Sequence, residues 1–172
     1  MKRAVITGLL ALLFFLLQST LANYIEIAGI SPNLLIILIV SVAFFSGKTA
    51  GMLTGFFCGL LVDLFFSDIL GFYSMVYMLT GYVCGIFQKK VLEFDYKLPL
   101  LLIGAADLTT SMIVYWCLFL MRRRFNAGYY LVHITLPEIV YTVFAAVILY
   151  RILYAIHQRL ILEERRRDGY FV

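Results

Sequence analysis

GKTAGMLTGFFCGLLVDLFF, residues 47–66, carries glycine at every fourth position, Gly47, Gly51, Gly55 and Gly59, with Asp63 at the next step of four. A spacing of four keeps these residues near one face of an α-helix. From Thr49 to Phe66 the stretch is apolar and uncharged apart from Asp63, and long enough to cross a bilayer. A ridge without side chains lets two helix backbones approach closely. Van der Waals contact and weak C–H to carbonyl bonds then replace the hydrophobic drive that is missing in lipid. The ridge drifts by about 40° per step on a straight helix, which suits a crossing partner. The spacing allows that partner to lie in this chain or in another protein.

The rest of the chain agrees with a membrane helix. Of 172 residues, 63% are hydrophobic and 14% are charged, and the mean hydropathy is +0.97. A soluble domain with a polar surface does not tolerate that balance, so lipid must solvate most of the exterior. The stretches between apolar runs are too short to fold alone, so a single membrane domain covers residues 1–172.

Outward from the glycine ridge, the reading gives about six spans. Span 1 is residues 4–21, behind Lys2 and Arg3; it also has the layout of a secretory leader, with Thr20, Leu21 and Ala22 as a cleavage site. Span 2, 27–45, is interrupted by Ser31 and Pro32, which read as an N-cap followed by proline at the first helical position. A helix from Pro32 to Phe45 is only about 21 Å long, so it is short, tilted, or preceded by irregular backbone. Spans 3 and 4, 49–66 and 69–87, form a tight hairpin, and Gly81 and Gly85 add one more GxxxG. Span 5 is 98–121 and span 6 is 136–156, whose helix extends toward a basic tail, 157–172. The expected fold is thus an all-α integral membrane protein of six spans, or five if span 1 is cleaved or span 2 is re-entrant.

Net charge is +4. Six spans place Lys2, Arg3, Lys48, Lys89, Lys90, Lys97, Arg159 and Arg165 to Arg167 on one side, against Arg122 to Arg124 on the other. The positive-inside rule then puts both termini in the cytoplasm, with the Arg122 to Arg124 triplet as an exception. The same charge gives no reason to expect nucleic-acid binding. Tyr24, Tyr73, Tyr82, Tyr129, Tyr130 and Tyr154 fall near span ends, as in aromatic belts.

Asp107 is the costliest residue, near the middle of span 5, where a carboxylate costs roughly 3 kcal/mol on insertion scales. Gly104, Asp107, Leu108, Ser111 and Tyr115 share its helix face. Interhelical hydrogen bonding, a ligand or ion, or a partner contact would each compensate it. Asp63 lies one turn from the end of span 3 and pairs most simply with an arginine. Thr135 and Glu138 have the spacing of a capping box, with Pro137 in the first turn. Cys58, Cys84 and Cys117 stand singly in apolar runs, and His133 and His157 lack partners at catalytic spacing, so both read as loop histidines near the headgroups. No cofactor, metal site or catalytic constellation is expected, and the chain does not read as an enzyme.

Three features together resemble the rod shape-determining protein MreD family. These are the small basic-tailed bundle, the stretch Ser31-Pro32-Asn33-Leu34-Leu35 opening span 2, and the run from Gly55 to Asp63 followed by Leu70 and Gly71. Asn33 stands where the family usually has an acidic residue, and Asp63 stands where it has Asp. The resemblance implies a component of the bacterial cytoplasmic membrane that acts in cell elongation and peptidoglycan synthesis. Its implied partners are an MreC-type membrane protein, an actin-like filament protein and the wall synthases of the rod complex. It also implies a fold similar to the substrate-binding subunits of energy-coupling-factor transporters. Two functions follow as expectations: a non-enzymatic scaffold that packs membrane helices, or a small-molecule-binding or transport subunit with a polar cavity around Asp107, Asp63 and Arg122 to Arg124.

Overall fold

The computed structural model describes residues 2–24, 31–67, 69–90, 97–122 and 135–168. They form α1 (Lys2–Tyr24), α2 (Leu34–Ser46), α3 (Lys48–Phe66), α4 (Phe72–Ile86), a 3-10 turn (Phe87–Lys90), α5 (Lys97–Arg122) and α6 (Leu136–Asp168). By length and apolarity Lys48–Phe66, Leu98–Cys117 and Leu136–Leu160 are each able to cross a membrane, and Val5–Thr20, Leu34–Ser46 and Phe72–Ile86 are shorter apolar helices. Leu9, Leu16, Phe65, Phe66, Trp116, Val140 and Phe144 all stand exposed. Such a surface is stable only in lipid.

The helix of span 2 is short, as expected. It is also the axis of the bundle. Ile36, Ile37, Leu38, Ile39 and Val40 are each 0% exposed, and α2 touches every one of the other five helices. A helix apolar on all sides can be buried on all sides, and LLIILIVSVAFF has no polar face to leave outside. Around it run α1, α3, α4, α5 and α6, each touching the next. Residues of α1, α2 and α6 line a small cavity of about 40 Å³ where the ring closes. Phe45, near the end of α2, stacks on His157 with centroids 4.9 Å apart and packs on Tyr150 and Tyr154. His157 is therefore a helical core-edge residue, not the loop histidine expected; His133 lies outside the described residues.

With thirteen residues, α2 is about 20 Å long, shorter than a hydrocarbon slab of about 30 Å. Leu34, Leu35 and Ile36 are buried in the bundle, so its first amides need partners from the protein. The cap is Asn33, not Ser31: its Oδ1 accepts from Ile36 N–H at 3.3 Å, and its backbone carbonyl accepts from Ile37 at 3.4 Å. Leu34 N–H reaches the Pro32 carbonyl at 3.1 Å. The helix starts only at Leu34, so Ser31 lies two residues before the cap. Leu35 N–H is taken by Oε1 of Gln18 on α1 at 3.1 Å, and Asn33 N–H by Oγ1 of Thr142 on α6 at 3.0 Å. Gln18→Leu leaves the Leu35 amide orphaned inside the bundle. The expected cost is about 1–3 kcal/mol, read as a lower Tm of the purified protein in detergent.

Other ends also differ from the expected bounds. Gly47, with φ +91°, makes the turn between α2 and α3, and Gly71, with φ +95°, opens α4 three residues later than span 4 was expected to begin. Toward the C terminus α6 runs on through the start of the tail as far as Asp168.

Candidate functional site

Three of the four ridge glycines meet α4. A Cβ on Gly55 would strike the Tyr77 carbonyl, one on Gly59 the backbone of Ser74, and one on Gly51 the Gly81 carbonyl at 2.6 Å as well as the Cβ of Ala43. From the other side, Gly81 and Gly85 abut Gly51 and Lys48. The ridge is occupied by this chain's own α4. Gly47 stands apart in its turn, where the nearest atom to an added Cβ is Gln88 Oε1 at 2.7 Å; the Gln88 side chain also donates to the Phe45 carbonyl at 3.2 Å.

Asp63, next on that face, is 2% exposed and holds the start of α4. Gly71 sits at the N-cap and has no side chain to offer. The Asp63 carboxylate takes over, accepting from Gly71 N–H at 3.1 Å, Tyr73 N–H at 2.9 Å, Ser74 N–H at 2.9 Å and Ser74 Oγ at 2.6 Å. A carboxylate at a helix N-terminus also interacts favourably with the positive end of the macrodipole. Four donors at the start of α4 thus serve Asp63, while the side chains of the outer arginines expected to pair with it lie outside the described residues.

A second polar group forms where α2, α4, α5 and α6 converge. Asp107 of α5 is 0% exposed, and Thr142 and Asn33 lie against its carboxyl. Neither carboxylate oxygen receives a well-formed hydrogen bond. One turn along α5, Ser111 pairs with Glu138 of α6, which also feels the charge of Asp107. Tyr77 of α4 is buried and meets Asn33 and the field of Asp107. Asp107 and Ser111 are four apart on α5, and Glu138 and Thr142 four apart on α6, so the antiparallel helices bring the two pairs face to face. The start of α2 points its positive end at this cluster.

Thr135 and Glu138 therefore do not form the expected capping box. The Thr135 hydroxyl is buried without a hydrogen-bond partner, and Glu138 is half-buried against Ser111 and Asp107. The sequence reading treated Asp107 and Glu138 separately and missed Asn33, Gln18, Tyr77 and Thr142. The available signal was the four-residue spacing of polar groups on both strongly apolar helices. Arg122 ends α5, while 123 and 124 lie outside the described residues. Cys58 and Cys84 are buried and Cys117 is exposed.

A helical bundle clothed in apolar side chains, with a buried central helix and acidic groups tied to helix ends, defines a polytopic membrane protein. Its sequence matches the family model for rod shape-determining protein MreD over residues 2–160. The chain belongs to that family of bacterial membrane proteins, which acts in determining rod shape and is associated with the MreC/rod complex. No curated protein and no solved structure matches the chain. The likeness to energy-coupling-factor subunits rests on the family resemblance alone.

Proposed function

We propose that the chain is a non-enzymatic scaffold of the cell-elongation complex, set in the cytoplasmic membrane with both termini inside, that positions peptidoglycan synthesis proteins by docking a membrane helix of an MreC-type partner. The glycine ridge of α3 is spent on α4, so the docking surface lies elsewhere. Gly8 is the observation that carries the reading. Glycine in a helix interior costs about 0.5–1 kcal/mol relative to alanine, yet a Cβ on Gly8 would meet nothing within 4 Å. Nothing inside this chain's described residues asks for glycine there.

Gly8 lies in an apolar groove of about 660 Å³ between α1 and α3. Small residues, Gly8, Ala11, Ala50 and Thr54, alternate there with the exposed Val5, Leu53 and Phe57. Small residues set low between larger ones favour close approach of a second helix in lipid. The actin-like filament and the wall synthases are then reached through the same assembly from its two membrane faces.

Gly8→Leu puts a side chain into the groove, and its Cβ meets nothing within 4 Å. Its expected effect is a loss of about tenfold or more in recovery of the MreC-type partner, equivalent to about 1.4 kcal/mol, with rounded cells and a Tm no lower than that of the wild type. Rod-shaped cells and full partner recovery with Gly8→Leu would overturn the docking reading.

A further inference from the structure

The Asp107 cluster is placed at odds with its charge. Asp107 and Glu138 interact electrostatically across the α5–α6 contact, and the groups acting on them are the uncharged side chains of Thr142, Asn33 and Ser111. Among the described residues, no basic side chain is among them. Asp107 is 0% exposed, and although Thr142 and Asn33 lie against its carboxyl, neither oxygen receives a well-formed hydrogen bond. The positive end of α2 offsets only about half a charge. Two carboxylates in a hydrocarbon slab leave a deficit that a protein cannot hold open, because an isolated buried charge is among the costliest groups known.

The burial limits what can fill the deficit. A lysine or arginine from another chain has no way to reach a carboxylate without exposed surface. An organic cation needs room, and Asp107 at 0% exposure offers none; grooves of about 660 Å³ between α1 and α3 and about 390 Å³ between α3 and α4 beside Asp63 lie away from it. What remains is a positive charge of atomic size. Hard oxygen groups converge on the same spot: the Asp107 carboxylate, Thr142 Oγ1 and the Asn33 side chain, with Glu138 and Ser111 one turn on. Thr142 Oγ1 already accepts from Asn33 N–H, which orients a lone pair and a proton of that hydroxyl. Oxygen ligands of this kind suit small hard cations. Glu138, half-buried in the first turn of α6, provides the way in from that face of the bundle.

We propose that Asp107 and Glu138, with Thr142, Asn33 and Ser111, form an intramembrane site for one small monovalent cation, a proton or a sodium ion, whose occupancy locks α5 and α6 to the start of α2. Among the described residues, two more titratable groups of α4 face the site: Tyr77, whose hydroxyl meets Asn33 and feels Asp107, and Tyr73, which feels Glu138 and also Asp63. The site is independent of the docking groove, so the two readings stand or fall separately.

The test uses the full chain purified in detergent in choline buffer. Its Tm is followed first against added NaCl at alkaline pH, with choline chloride as the ionic-strength control, and then against pH without sodium. A bound cation raises Tm with the logarithm of its concentration, by about 3 °C or more per tenfold rise above its dissociation constant. A rise with protons alone assigns the site to a proton. A rise with sodium that fades as pH falls assigns it to sodium in competition with a proton. Asp107→Asn, which keeps the shape and removes the charge, is expected to lose the response and to have a Tm close to that of the occupied wild type. Glu138→Gln is expected to weaken the response, and Thr109→Val, on the exposed face of α5, to leave it intact. A wild-type Tm indifferent to both cations, or an Asp107→Asn protein that keeps the wild-type response, would overturn the proposal.

Discussion

Asp63→Ala is expected to lower stability by about 3–5 kcal/mol, seen as a drop in Tm of about 10 °C or more and as less protein in the membrane. The substitution strands the N–H groups of Gly71, Tyr73 and Ser74, which Asp63 now serves together with the Ser74 hydroxyl. Each buried orphan donor costs about 1–3 kcal/mol, and the total is less than the sum because the end of α4 can shift as one unit. Gly71 makes the loss unavoidable, since no side chain at the N-cap can step in. Asp63→Asn retains one acceptor oxygen but turns the other into a donor aimed at N–H groups, so its Tm should fall between those of the wild type and the alanine variant. An alanine variant with wild-type Tm but rounded cells would move Asp63 from the fold to the partner contacts.

How much of this was legible in the sequence differs from helix to helix, for a physical reason. Spacing of four along 47–63 marked the residues on one face of α3, because glycine and aspartate contrast with any apolar surrounding. The central place of α2 left no such mark. In water, a helix apolar on all sides announces burial in protein, but in a membrane the same pattern fits contact with lipid. Ile36 to Val40 read alike in either setting. Only the shortness of α2 and the polar Asn33 at its start told against a lipid-facing span. Gln18 was the matching clue on α1, a side-chain amide in an apolar run, whose use became visible once the orphaned amide of Leu35 was placed beside it.

The polar cluster was half legible. Asp107 and Ser111 could be put on one helix face from spacing, but Glu138 and Thr135 obeyed the capping-box pattern, and that local rule masked a tertiary one. Packing of α5 against α6 turned Glu138 toward Ser111, so the carboxylate was drawn across the interface rather than back to its own first turn. Asp63 shows the converse. It caps a helix, as acidic residues near helix starts do, but the helix is the following one.

The second large effect is expected at Gly55. Gly55→Ala adds one methyl group at the point where α3 and α4 touch, and that methyl would strike the Tyr77 carbonyl. The obstacle is backbone, which cannot rotate away as the end of a side chain can, so the helices must separate. Overpacking costs about 1–3 kcal/mol when side chains can yield, and here the cost should lie at or above the top of that range. Separation also pulls Ser74 and Tyr73 from Asp63, three to four residues along the same contact, so Gly55→Ala and Asp63→Ala should be less than additive in a double-mutant cycle. Gly8→Ala supplies the opposite sign. With nothing within 4 Å of the added Cβ, it should raise stability slightly through better helix propensity, by about 0.5–1 kcal/mol. Thermal unfolding of the three proteins in one detergent decides the matter. If Gly55→Ala unfolds with the wild type, α3 and α4 do not meet along the ridge, and the ridge returns to being a surface for a partner helix.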